Sequence, residues 1–105
     1  MAQFLYKIIP VRPEMLTEGL TEFEKKSMSD HFERLKELMA AGVVIMAGRT
    51  QNTDNSSFGI VIINAGSEQE ARSIMHDDPG VKNRVVRGEL YPYKIAILKE
   101  NNAKG

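Results

Sequence analysis

The chain is predicted to be one α+β domain of βαββαβ order, an antiparallel sheet carrying both helices on one face. Three observations predict this. Strand-like and helix-like segments follow one another in that order, without repeats, low-complexity stretches or an internal linker. The helix-like segments place their apolar residues on a single stripe, as helices packed on a sheet do. The length, 105 residues, suits one domain and not two. Residues 1–100 are expected to form the domain, with 101–105 as a flexible tail.

Phe4 to Val11 is rich in β-branched and aromatic side chains and stops at Arg12-Pro13, so it reads as the first strand. Pro13 suits the first turn of a helix. Thr21-Glu22-Phe23-Glu24 has the form of a capping box, and Ser27-Met28-Ser29-Asp30 is a looser one. Residues 13–41 are therefore either one long helix or, preferably, a short lead-in helix followed by the main one. Gly42 stands where a left-handed C-cap belongs. Val43 to Ala47 is wholly apolar, which predicts a central strand buried on both faces. A polar loop follows from Arg49 to Ser57, then a third strand from Phe58 to Ile63. Ser67-Glu68-Gln69-Glu70 opens a second helix that Pro79-Gly80 must end. Val85 to Leu98 is the last strand region, and Pro92 within it requires a bulge or an edge. Strands and helices in this order form the ferredoxin-like arrangement. That sheet leaves its second face bare, so a homodimer is expected to cover it.

Composition excludes several classes of function. Lys plus Arg number 14 and Asp plus Glu number 14, a balance that argues against nucleic-acid binding, which needs a basic surface. With no cysteine, disulfides, thiolate nucleophiles and cysteine-type zinc sites are ruled out. The N-terminus has no basic region and too short an apolar run for a signal peptide, and no stretch approaches the roughly 20 apolar residues of a membrane span. A cytoplasmic protein without membrane or nucleic-acid partners is expected. Hydrophobic residues at 42% and charged residues at 27% are globular values.

Two polar residues fall on apolar stripes. On a helical wheel with His31 at zero, Leu38 lies about 20° to one side and Leu35 about 40° to the other, with Met28 and Met39 further round. His31 thus faces the sheet and needs a hydrogen-bond partner. In the second helix Asp78 continues the stripe of Ala71, Ile74 and Met75, and Pro79 biases it out of helical geometry. An imidazole and a carboxylate far apart in sequence can therefore meet under the helices. Such a carboxylate fixes the tautomer and orientation of the ring, whose free nitrogen takes or gives a proton near neutral pH. The same pair could instead serve only to tie two helices together.

The other candidates are ligand contacts. Arg49, after the second strand, could meet an anion at the sheet end or stay a solvated loop residue. Tyr6 and Tyr93, with Tyr91, could line a pocket or simply pack. His76-Asp77-Asp78 has metal-ligating residue types, but neighbours in a row rarely converge and His76 falls beside the stripe, so no metal site is assigned. Glu24 is expected to be exposed. No Gly-rich phosphate loop or metal spacing occurs, and no cofactor is expected.

In the order and spacing of several pieces the chain resembles the YCII-related (YciI-like) family. These are Asp30-His31-Phe32 through Leu35-Lys36-Glu37-Leu38, Ala41-Gly42 with Val43 to Ala47-Gly48, Phe58-Gly59-Ile60, Glu68-Gln69-Glu70-Ala71-Arg72, Asp78-Pro79, and Glu89-Leu90-Tyr91-Pro92-Tyr93. The resemblance implies a dimeric α+β barrel and a site built from the family's histidine and the aspartate of its Asp-Pro motif, here His31 and Asp78. Where the family commonly has proline after the glycine of the second strand, this chain has Arg49. The resemblance also implies lyase or isomerase chemistry such as that of a dehydrochlorinase. The expected function is cofactor-independent proton transfer by a His-Asp pair on a small cyclic or aromatic metabolite. The alternative is a non-catalytic small-molecule-binding or accessory module using the same pocket.

Overall fold

The computed structural model describes residues 2–99. The expected tail, 101–105, lies outside them. The elements are β1 (Ala2–Pro10), a 3-10 turn (Pro13–Leu16), α1 (Glu22–Ala40), β2 (Val44–Arg49), β3 (Gly59–Ala65), α2 (Glu68–Asp77), a short α3 (Pro79–Lys82) and β4 (Val86–Tyr93). The strands form one sheet in the order β2-β3-β1-β4, antiparallel throughout. This is the ferredoxin-like βαββαβ arrangement expected, with the lead-in turn and main helix as separate pieces.

Local chemistry explains the boundaries. Thr21 closes a capping box at the start of α1, its hydroxyl accepting from the Glu24 N–H while the Glu24 carboxylate accepts from the Thr21 N–H. Gly42 follows the helix at φ +80°, a conformation only glycine adopts without strain. At Asp78 the backbone leaves helical geometry (φ −61°, ψ 123°), as a residue before proline does, and α2 ends.

Side chains alternate across the sheet. Phe4, Tyr6, Ile8, Val44, Val61, Ile63 and Val86 face the helices and form the core with Met15, Leu35, Ala71 and Met75. The opposite, open face carries Leu5, Ile60, Met46, Tyr91 and Tyr93.

Two expectations are corrected. The apolar run 43–47 is not a central strand: β2 is an edge. It is apolar on both sides because Val44 packs beneath the helices while Met46, after a bulge, lies half exposed on the open face. The last strand ends at Tyr93 and not at Leu98, because its partner β1 runs out there: Gln3 pairs with Tyr93, and Ile95 N–H reaches only the Gln3 side chain, at 2.9 Å. Pro92 is accommodated because β4 is the other edge strand.

Candidate functional site: a buried Tyr-Asp-His network beside a cavity

Four side chains of α1 are buried, Glu24, Ser27, His31 and Leu35, and three of them are polar. Each polar one is matched. Glu24 takes a two-pronged pair from Arg12, at 2.9 and 2.7 Å, and Ser27 accepts from Asn83 at 3.0 Å. Glu24 is thus buried, contrary to expectation, because Arg12 folds back over it from the lead-in segment. His31 reaches Asp78, 47 residues along the chain.

Asp78 sits where α2 ends and α3 begins, so its extended backbone directs the carboxylate inward under α1. Its Oδ1 accepts from the Gly80 N–H at 2.9 Å and faces His31 Nδ1 at 2.7 Å. Its Oδ2 accepts from the Tyr6 hydroxyl at 2.6 Å and lies 2.9 Å from the same Nδ1. Tyr6, His31 and Asp78 are at most 3% exposed. Burial, then the charge and hydrogen bond of Asp78, hold the Tyr6 phenol far above its usual range, so it stays a neutral donor.

These partners assign the tautomer. An amide N–H and a neutral phenol both donate to Asp78, which makes the carboxylate an acceptor from every side. The imidazole nitrogen facing it is therefore the protonated one in the neutral ring, an assignment from the network. Nε2 then carries the lone pair. It has no hydrogen-bond partner among the described residues. The arrangement is an oriented, supported imidazole with one nitrogen unpartnered among the described residues.

A cavity of about 350 Å³ lies at the end of the sheet, beneath the lead-in segment. Its walls include Ile8, Met15, Leu16, Met28, Phe32 and Phe58. None of Tyr6, His31 and Asp78 lines it. The connection runs through neighbours: Phe32 stands edge-on to the His31 ring at 5.1 Å, and a Cβ at Gly80 would lie 3.4 Å from both Asp78 Oδ1 and Met28 Sδ. The walls are thus one side chain away from the pair.

Of the five residues selected from the sequence, the structure brings three together. Tyr6 joins His31 and Asp78 as a donor to the carboxylate. Arg49 lies apart from them, exposed at the cavity rim. Tyr93 is on the open face of the sheet, away from the network, because it shares the side of Gln3 and Leu5. His76 is exposed, and among the described residues no three His, Cys, Asp or Glu side chains converge. Sequence reasoning missed the Gly80 N–H and the lead-in wall, Met15 and Leu16. The Asp-Pro-Gly order, an N-cap followed by proline at the first helical position, was the available signal for the former. No helix among the described residues is long and apolar enough to cross a membrane.

Residues 7–94 match the YCII-related domain, and the chain belongs to that family. Its fold is similar to that of 5-chloro-2-hydroxyhydroquinone dehydrochlorinase (TftG) from Burkholderia phenoliruptrix AC1100, solved in complex with 2,5-dihydroxybenzoquinone. The two share 22% identity and a TM-score of 0.64 over 88% of this chain and 93% of that one. A dimeric ferredoxin-like protein from an uncultured marine organism matches at 12% identity and a TM-score of 0.45, over 92% and 95% of the chains. No curated protein matches this chain.

Proposed function

We propose that this member of the YCII-related family is a cofactor-independent enzyme of the lyase or isomerase type, in which His31 moves a proton on a small cyclic or aromatic metabolite. The observation that carries this reading is a buried imidazole whose Nδ1 is held by Asp78 and whose Nε2 has no hydrogen-bond partner among the described residues. Nε2 accepts a proton from carbon or oxygen of the substrate. The bonding pair left behind forms a new double bond, and either a leaving group departs with its own electron pair or the proton returns to a different atom. Asp78 holds the Nδ1–H tautomer and faces the imidazolium that forms, while Tyr6 and Gly80 donate to it and fix its orientation. That a solved protein of the same fold is named a dehydrochlorinase adds a precedent for the reaction class, as analogy.

Turnover of chlorinated hydroxyquinols and unsaturated five-membered lactones tests the proposal. With whichever probe is turned over, His31→Ala and Asp78→Asn should each lower the rate by about 10²–10⁴-fold, the usual contribution of a positioned acid-base group. Unchanged turnover in both variants would end the proposal.

A second reading is favoured by the position of the cavity, which the three network residues do not line. On it the chain binds a small molecule without transforming it. Saturable binding without turnover of any probe, unchanged in His31→Ala, is its signature.

Pairing of two copies through the open face belongs to the same proposal. Met46, Tyr91 and Tyr93 are each more than two-fifths exposed there, beside half-buried Leu5 and Ile60. Together they make a contiguous apolar surface of a kind that marks an interface.

A further inference from the structure

Arg49 is the only charged residue lining the cavity, among the described residues, and it has no acidic partner there. Of the other arginines, Arg12 pairs with Glu24, Arg34 with Glu37, Arg72 with Glu68 and Arg87 with Glu89, and Arg84, like Arg49, forms no ion pair among the described residues. The cavity is also divided by origin. Its polar groups, Arg49, Thr53 and Ser57, all come from the end of β2 and the connection to β3, whereas Ile8, Met15, Leu16, Met28 and Phe32 come from β1, the lead-in segment and α1. The buried Ser57 hydroxyl accepts from Thr50 Oγ1 at 3.3 Å, which leaves its own proton available.

We infer that the cavity binds a monocarboxylate borne on a single apolar ring, with Arg49 and Ser57 receiving the carboxylate and Phe32, Phe58 and Met28 enclosing the ring. A guanidinium presents a planar fork that matches a carboxylate with two parallel hydrogen bonds. Apolar walls on the remaining sides reduce the competition of water for that pair. The volume, about 350 Å³, is at the small end of ligand cavities, which run from about 300 to 1,000 Å³, and limits the occupant to about one ring. This inference rests on the reading that the cavity beside His31 is the substrate site, and it adds the charge and size of what enters.

The test is binding of benzoate and of its neutral isostere benzamide to the full chain, followed by calorimetry and by backbone amide shifts. Benzoate should bind saturably and shift Arg49, Ser57 and Phe58, with benzamide about tenfold weaker for want of the charge-assisted pair. Arg49→Met should bring benzoate down to the benzamide level, and Arg49→Lys should keep part of the preference. Equal binding of the two probes, an undiminished preference in Arg49→Met, or no saturable benzoate binding overturns the inference. Because the readout is binding, it separates from the catalytic proposal. A charge-selective pocket without turnover leaves this inference standing and sinks the enzyme, and turnover of neutral substrates without dependence on Arg49 does the reverse.

Discussion

At the scale of single residues, the account depends on what each atom of Asp78 receives. Three donors converge on one buried carboxylate, so removing one takes away a hydrogen bond that holds its orientation. Tyr6→Phe deletes a buried hydrogen bond to a charged group, and denaturant unfolding should show a loss of about 1.5–3 kcal/mol. Asp78→Asn is chemically different. The amide presents one oxygen and one NH₂, so it cannot accept from Tyr6, Gly80 and His31 together. Either it turns the NH₂ toward His31 and reverses the tautomer, or it abandons one of the other donors. The variant should lose both stability and the fixed Nδ1–H form. A loss of stability with the tautomer retained would mean that the carboxylate does not orient the ring. His31 and Asp78 were legible from helical spacing alone because each interrupts an otherwise apolar stripe. The donor role of Tyr6 was not, since a strand tyrosine has the same alternation whether it packs or bonds.

At the scale of elements, the lead-in segment and α1 are held together by Arg12 and Glu24. The guanidinium of Arg12, helped by the Thr21 N–H, draws the Glu24 carboxyl down from 4.5 to about 2. A carboxyl with a depressed folded-state pKa stabilises the fold fully above its unfolded value, and the contribution is lost as pH falls through the folded one. Glu24→Gln should therefore be less stable than wild type above pH 4.5, with the gap closing as pH falls toward 2. A gap that is the same at every pH would show that the charge is not what holds the segment. The close approach of α2 to β4 depends on Gly88, where a Cβ would lie 2.8 Å from Met75 Sδ. Since the obstacle is a flexible side chain, Gly88→Ala should cost about 1–3 kcal/mol in thermal or denaturant unfolding and not abolish folding. Element order and most helix ends were legible because capping residues, glycine and proline act locally. The place of β2 was not: an apolar run reads the same whether its second face is covered by the chain's own helices or left open at an edge.

At the scale of the whole molecule, the sheet has helices on one side only, and the open side carries Met46, Tyr91 and Tyr93. Sedimentation at micromolar concentration should show a dimer. Met46→Glu should shift it to monomer with little change in the unfolding of the single chain, since Met46 is 41% exposed and contributes little to the core. A monomeric wild type would remove the pairing proposal. The distribution of candidate residues is itself explained at this scale. Arg49 and Tyr93 sit at strand ends, and which face or rim a strand-end residue reaches is decided by bulges and edge positions that one sequence does not display. The interior network was recoverable because helix periodicity and a common core leave few places for a buried polar group to go.

On the proposed function, His31 is held by Asp78 with Nε2 left to exchange a proton with a ligand. The most direct measurement is the ¹⁵N spectrum of the His31 ring in wild type and Asp78→Asn, with and without a small aromatic acid. In the wild type the neutral form of the ring should carry its proton at Nδ1, Asp78→Asn should change the tautomer, and the ligand should shift Nε2. A neutral ring protonated at Nε2, or an Nε2 resonance that no ligand moves, would contradict that function and leave His31 and Asp78 as a tie between helices.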